Sequence, residues 1–169
     1  TYPMPQPFIV LATQNPVDFV GTYPLPEAQL DRFFMRISIG YPNAEEEADI
    51  LERYTSGKKP MDDLRPICTS GDILRLQQEV EGVHTSREVR AYIANIAAAS
   101  RRNSALQLGI STRAAISLLR ASQACALLDG RDYVIPEDVQ RMAAPVLAHR
   151  MVLSPEASMR NMTAERVLQ

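Results

Sequence analysis

The sequence has few of the residues from which metal sites and nucleophilic active sites are built. Its 169 residues include two cysteines, two histidines and no tryptophan. Cys68 and Cys125 form no CxxC pair, and together with His84 and His149 they show no spacing typical of metal ligands. With so few histidines, a Ser–His or Cys–His catalytic site is not predicted either. The pattern favours two reduced thiols over a disulfide, which fits a cytoplasmic protein.

Glycine is also scarce, at seven residues, and none of them belongs to a GxxxxGK[ST] loop of the kind that holds nucleotide phosphates. No strand that ends in an acidic pair precedes Phe8, so the usual Mg²⁺-binding element of ATP hydrolysis is missing as well. A chain that lacks both elements is not expected to hydrolyse ATP by itself.

Long apolar runs and an excess of positive charge are absent too. No run approaches the roughly 18 apolar residues that a membrane span needs, and the N-terminal residues are Pro-rich and uncharged rather than signal-like. The net charge of −2 disfavours a general nucleic-acid binder. We therefore expect a folded, cytoplasmic protein without membrane insertion and without a nucleic-acid partner.

The first 42 residues show a pattern that differs from the rest of the chain. Phe8–Thr13 is a continuous apolar run typical of a strand buried in a parallel sheet, and Met35–Ile39 alternates as an edge strand does. A short helix is predicted between them, over 27–34. Two strands and a helix do not form a core. Residues 1–42 are therefore expected to be a small α/β remnant that is poorly anchored or pairs with another copy.

From Asn43 onward the chain predicts helices. Apolar residues recur at helical spacing, and start signals precede each segment: Asn43 with Glu46, Ser70, Thr85 with Glu88, Ser111, Pro136 with Glu137 and Asp138, and Thr163. Gly130 should end the helix that Ser111 starts. The predicted fold is thus mainly α, with a helical bundle over 43–154 and a C-terminal extension, 155–169, that holds a truncated helix.

Asn15 is the first candidate functional residue. It directly follows the apolar run, at the strand end where ligands bind in open parallel sheets. A neutral amide there can hold a water or a phosphate oxygen. Asn-Pro is also an ordinary turn sequence, and on spacing alone the turn is the favoured interpretation.

Two arginines are the other candidates. Arg32, at the end of the short helix, could offer its guanidinium to a phosphate, or it could form a surface ion pair with Asp31 or Glu27. Arg113 falls at the second position of the helix capped by Ser111, where a cation opposes the helix dipole. An arginine beside free helix amides is a good anion receptor, but it could equally turn away or pair with a carboxylate.

Three motifs in order resemble the MoxR family of AAA+ ATPases, and the resemblance covers nearly the whole chain. They are ATQNP at 12–16, GTYPLPEAQLDRF at 21–33 with IGYP at 39–42, and STRAA at 111–115 followed by ALLDGRDY at 126–133. One departure is Thr112, where the family often has proline.

The resemblance implies roles for the three candidates. Asn15 corresponds to sensor 1, which orients the attacking water near the γ-phosphate. Arg32 corresponds to the arginine finger that completes a neighbouring subunit's site, and Arg113 to the sensor 2 arginine that couples the lid to the nucleotide. Residues 1–42 then correspond to the end of the ATPase core, and residues 43–154 to the α-helical lid.

The resemblance also implies an activity for a longer protein. Such a protein would use ATP and Mg²⁺, assemble into a ring, with six subunits expected, and remodel, mature or insert cofactors or metals into a client, for example one with a von Willebrand factor A domain. The chain alone, without Walker A and Walker B, is expected to be inactive and to bind neither cofactor. The alternative is a non-enzymatic helical protein-interaction module.

Overall fold

The computed structural model describes residues 2–13, 25–55, 61 and 64–168, and these form a mainly helical chain. The helices are α1 (Glu27–Leu30), α2 (Ala44–Thr55), α3 (Ser70–Gly82), α4 (Arg87–Arg102), α5 (Thr112–Leu128), α6 (Pro136–Leu147), α7 (Pro155–Met159) and α8 (Ala164–Val167). Strands β1 (Leu106–Leu108) and β2 (Val152–Leu153) pair antiparallel, and a 3-10 turn, Ala148–Arg150, precedes β2. The predicted mainly α fold with a helical bundle is confirmed.

Helix α5 lies at the centre of the bundle and packs against α3, α4 and α6. Its small residues Ala114 and Ala121 are buried, which lets the neighbouring helices approach closely around Leu118. The other core side chains come mainly from α4, α6 and the connecting segments: Val83, Val89, Ile93, Ala97, Ile110, Val134, Val139, Val146, Leu147 and Met151. The core therefore runs from residue 83 to residue 151.

The two predicted strands near the N-terminus are not formed. Neither Phe8–Thr13 nor Met35–Ile39 has strand structure in the described part of the chain, and the one described sheet lies inside the bundle instead. A strand needs a ladder of hydrogen bonds to a neighbouring strand. Within the described residues Phe8–Thr13 has no backbone hydrogen bond, and Met35–Ile39 has a single one, from Arg36 N to Pro145 O at 2.9 Å. Most of their apolar side chains are open to solvent, with Leu11 92% and Ile39 98% exposed, whereas Met35 packs against the core.

Most predicted helix starts are confirmed, and two are shifted by one residue. Asn43 and Ser111 cap α2 and α5, Pro136 opens α6, and Thr163 caps α8. Helix α3 is capped by Thr69, whose hydroxyl and backbone pair with Asp72, rather than by Ser70. Helix α4 is capped by Ser86 rather than by Thr85.

The shift at α4 has a physical reason. The backbone of His84 pairs with the segment before α6, through His84 N to Asp132 O at 2.7 Å and Val134 N to His84 O at 3.0 Å. This pairing holds Thr85 outside the helix. Ser86 Oγ then accepts from Val89 N at 3.3 Å, and the buried Thr85 hydroxyl has no partner among the described residues.

No described helix combines the length and the apolar character that crossing a bilayer requires.

Candidate functional site at the start of helix α5

The N-terminus of α5 is fixed by close backbone packing. A Cβ atom on Gly109 would lie 2.8 Å from the backbone of Arg101 in α4, so only glycine fits there without a shift. Ile110 N donates to Ser100 Oγ at 3.0 Å, and Arg101 Nε donates to Ile110 O at 2.9 Å. The start of α5 is therefore held against the end of α4.

Ser111 and Arg113 stand at this fixed helix start. Ser111 Oγ accepts from Ala114 N at 3.1 Å, as an N-cap does. Arg113 is the second helical residue, and its side chain is 61% exposed. Free helix amides and a guanidinium thus face the same solvent-open region, which is the chemistry of an anion receptor.

Asp31, next to Arg32 in sequence, bridges this helix start to the end of α1. Its Oδ1 accepts from Ser111 Oγ at 3.0 Å, and its Oδ2 lies 3.5 Å from Arg113 NH1. Its Oδ1 also lies 3.9 Å from Arg150 Nε. One carboxylate therefore neutralises the helix start and joins residues about 80 positions apart.

Arg150, at the end of the 3-10 turn, is the buried member of the site, with its side chain 2% exposed. Its NH2 group donates to the backbone carbonyls of Phe33 and, at 3.2 Å, Phe34. His149 Nε2 also lies 3.2 Å from Phe33 O and 3.3 Å from Arg150 Nε, so the imidazole contacts both the carbonyl and the guanidinium. Burial lowers the pKa of Arg150, while the Asp31 carboxylate opposes the shift.

An open groove runs along this cluster. It is lined by residues of α1, of the segment before α5 and of the 3-10 turn, among them Glu27, Asp31, Gly109, Ser111, Thr112 and Arg150. Arg150 lines the groove, and its NH1 group is buried and has no partner among the described residues. Arg101, Arg113 and Arg150 together carry more positive charge than the carboxylates of Glu27 and Asp31 can neutralise, so the donors are suited to phosphate oxygens.

The three residues predicted from the sequence have different outcomes. Asn15 lies outside the described residues. Arg32 follows α1, its side chain is exposed, and within the described chain it forms neither of the ion pairs considered for it. Arg113 pairs with Asp31, which is the carboxylate pairing that sequence analysis left open. The structure thus places the neighbour of Arg32 in contact with Arg113.

Asp31 and Arg150 were missed as site residues. Asp31 was considered only as a local partner for Arg32, although it pairs with α5 instead. Arg150 ends a segment with an ordinary basic C-terminal pattern, and its contacts with Phe33 and Phe34 span more than 110 residues. No local sequence signal marks either contact.

A second cluster, Cys125, Asp129 and Asp138, brings a thiol and two carboxylates within 4.8 Å of one another. Arginines already occupy these carboxylates. Arg131 binds both oxygens of Asp138, at 2.7 and 2.8 Å, and also binds Asp129 at 3.1 Å. Burial raises the pKa of the Cys125 thiol, which keeps it protonated. These groups form an ion-pair network and do not suit a metal ion.

Two family models match the chain. Residues 98–169 match the AAA lid domain, and residues 1–35 match the ATPase family associated with various cellular activities (AAA). The first match includes α5 and Arg113. The second includes Asn15 and Arg32.

Similar proteins are found among both curated sequences and solved structures. YeaC of Bacillus subtilis is 44% identical over all of this chain and 52% of its own length. The chaperone MoxR1 of Mycobacterium tuberculosis is 40% identical over 99% of this chain and 46% of its own length. A Cytophaga hutchinsonii crystal structure, described as a candidate ATPase, is 38% identical with a TM-score of 0.89, covering 99% of this chain and 53% of that one. The chain thus spans about half the length of the curated relatives it matches.

Proposed function

The chain belongs to the MoxR family of AAA+ ATPases, and from this premise we propose that it acts as the C-terminal part of a ring-forming ATPase that remodels or matures a client protein. In this proposal residues 1–42 end the ATPase core, residues 43–154 form the lid, and residues 155–169 extend it. The upstream half supplies the phosphate-binding loop and the Mg²⁺ site, neither of which is present in the motifs of this chain.

The observation that carries the proposal is the pairing of Asp31 with Ser111 and Arg113. It joins the segment of the proposed arginine finger, Arg32, to the proposed sensor 2 residue, Arg113. In the proposed function both arginines bind nucleotide phosphates, and both side chains are exposed to solvent. A guanidinium that reaches a phosphate from solvent must be accessible in this way.

Each residue has a distinct task in the proposed reaction. ATP with Mg²⁺ supplies the phosphoryl group that is transferred to water. Arg113 and the free amides of α5 bind phosphate oxygens of the nucleotide held by the same subunit. Arg32 reaches the nucleotide of the neighbouring subunit and stabilises the negative charge that develops there. Asn15 orients the attacking water. Asp31, held by Ser111, Arg113 and Arg150, is not free to bind the metal.

The test is ATP turnover by the full-length gene product and by its variants Arg32→Ala and Arg113→Ala. Loss of an arginine finger should lower kcat by about a thousandfold or more. Arg120, exposed on α5, gives the matched control, and Arg120→Ala should retain the parent activity. The present chain alone should turn over no ATP. The mass of the assembled protein with ATP tests the ring, for which six subunits are expected.

A null result would redirect the proposal. If the full-length protein neither binds nor hydrolyses ATP, a non-enzymatic interaction module becomes the better description. The client is tested separately, by measuring binding of the ATP-loaded ring to a purified von Willebrand factor A domain protein from the same organism. If the ring binds this protein equally well with and without ATP, the proposed coupling of ATP hydrolysis to client remodelling is contradicted.

A further inference from the structure

Arg150 connects the lid to the segment that carries Arg32. We infer that Arg150 is a positioning residue for the arginine finger, so that the position of the lid sets the position of Arg32. The inference rests on the proposed function, because it takes Arg32 as the group that reaches the neighbouring nucleotide. It adds a residue to which neither the motifs nor the family resemblance gives a role.

The contacts of Arg150 surround Arg32 on both sides. Arg150 NH2 donates to the carbonyls of Phe33 and Phe34, directly after Arg32, and Arg150 Nε lies 3.9 Å from Asp31 Oδ1, directly before it. The guanidinium is planar and its donors have a fixed geometry, so it orients the backbone that it holds. The Arg32 side chain itself is left free and exposed.

Burying the Arg150 guanidinium is energetically unfavourable, which indicates that the residue is retained for these contacts rather than for stability. Its side chain is 2% exposed, and NH1 has no partner within the described chain. A buried charge that is only partly paired contributes little or nothing to net stability. An apolar side chain would fill this place at lower cost, but it could not hold two carbonyls and a carboxylate.

The same cluster contains a movable partner. Arg113 is exposed, and its NH1 group lies 3.5 Å from Asp31 Oδ2. A phosphate can therefore replace Asp31 as the partner of Arg113 without disturbing the core. Asp31 would then keep Ser111 and Arg150. The contacts of Arg150 with residues 31–34 therefore persist whether or not Arg113 binds a phosphate. A movement of the lid should then move Arg32 as well. A further tie, Arg36 N to Pro145 O at 2.9 Å, strengthens the connection.

The experiment compares Arg150→Gln, Arg150→Lys and the exposed control Arg120→Gln in the full-length protein. Misplacement of Arg32 should lower kcat for Arg150→Gln by about 10- to 100-fold. The KM for ATP should stay within about twofold, since the residue that binds the subunit's own nucleotide is intact. Arg150→Lys keeps the charge but not the fork, and should fall between the parent and Arg150→Gln. Arg120→Gln should match the parent.

A double-variant comparison separates positioning from general damage. If Arg150 acts through Arg32, then Arg32→Ala with Arg150→Gln should be no slower, in single-turnover assays, than Arg32→Ala alone. Multiplied losses, or an unchanged kcat in Arg150→Gln, would overturn the inference. If Arg32→Ala itself turns over ATP normally, the proposed function fails first, and the two failures are thereby distinguished.

Hydrogen exchange gives a readout that does not depend on activity. Amides of residues 31–36 should exchange at least about tenfold faster in Arg150→Gln without nucleotide, while those of α5 should be unchanged. Should Arg150→Gln not fold, Arg150→Lys carries both measurements. Unchanged exchange of residues 31–36 in Arg150→Lys, together with parent kcat, would overturn the inference.

Discussion

Asp138 is the one buried carboxylate among the described residues, and its partners explain why it tolerates burial. Arg131 binds both of its oxygens, and Ile135 N donates to Oδ2 at 2.9 Å, so the same side chain closes the first turn of α6. The hydrogen bonds from Arg131 hold the pKa of Asp138 below its ordinary value, although burial opposes the shift. The ion pair thus fixes the loop before α6 to the helix.

We predict that Asp138→Asn lowers the free energy of unfolding by about 3 kcal/mol at neutral pH, because it leaves Arg131 without its main partner. A carboxyl whose folded pKa is depressed stabilises the fold above its ordinary pKa, and this stabilisation is lost as pH falls through the folded value. The parent should therefore lose stability below about pH 4, and Asp138→Asn should lose less over the same range.

Urea unfolding at several pH values provides the measurement, with the exposed Asp132→Asn as the matched control. The control should follow the parent at every pH. An Asp138→Asn curve parallel to that of the parent in acid would show that another carboxyl governs the loss.

At the scale of the elements, the approach of α4 to the start of α5 is the contact on which the site depends. Gly109 lies where a Cβ would meet the Arg101 backbone at 2.8 Å, and backbone cannot move aside as a flexible side chain can. Gly109→Ala should therefore push the two helix ends apart and lower the free energy of unfolding by about 1–3 kcal/mol.

Gly82 at the end of α3 is the control for this prediction, because a Cβ there meets nothing within 4 Å. Gly82→Ala should be neutral or slightly stabilising, by reducing the freedom of the unfolded chain. Thermal unfolding of both variants checks the pair. Equal melting temperatures for Gly109→Ala and the parent would mean that the helix ends can separate without cost.

Local sequence signals predicted most of the helices, and they failed where a contact with a distant part of the chain determines the helix start. The starts of α2, α5, α6 and α8 were predictable because a capping residue or proline acts within one turn. The shift at α3 was also readable, since Thr69 has Asp72 three residues on and Ser70 has no such partner. The shift at α4 was not, because it depends on the pairing of His84 with residues near 133.

The candidate site divides in the same way. The dipole-opposing position of Arg113 is a local feature, and the structure confirms only that Arg113 is the second residue of α5. That Asp31 is its partner, and that Arg150 holds the residues after Arg32, depends on contacts over 80 to 117 positions. Sequence periodicity contains no information about such distances, so these residues could be found only once the fold was known.

At the scale of the whole molecule, the exposed apolar segments near the N-terminus call for a partner. Phe8–Thr13 and Met35–Ile39 have strand-like sequences but no described strand, and side chains such as Leu11 and Ile39 face solvent. Runs of exposed apolar side chains are normally covered by a partner. In the proposed full-length protein, the upstream strands of the ATPase core would cover them.

We predict that the amides of residues 8–13 exchange within seconds in a dilute monomer of this chain, because no described hydrogen bond protects them. In the full-length protein the same amides should exchange at least about a hundredfold more slowly, since they would lie within a paired sheet. Amides around Leu118 in α5, which lie in the core of the chain itself, should be protected in both proteins and serve as the internal reference.

Protection of residues 8–13 in the monomer would mean that the segment pairs within the chain. Protection that rises with protein concentration would mean that a second copy covers the segment. Only protection that requires the upstream half supports a sheet completed by the rest of an ATPase core.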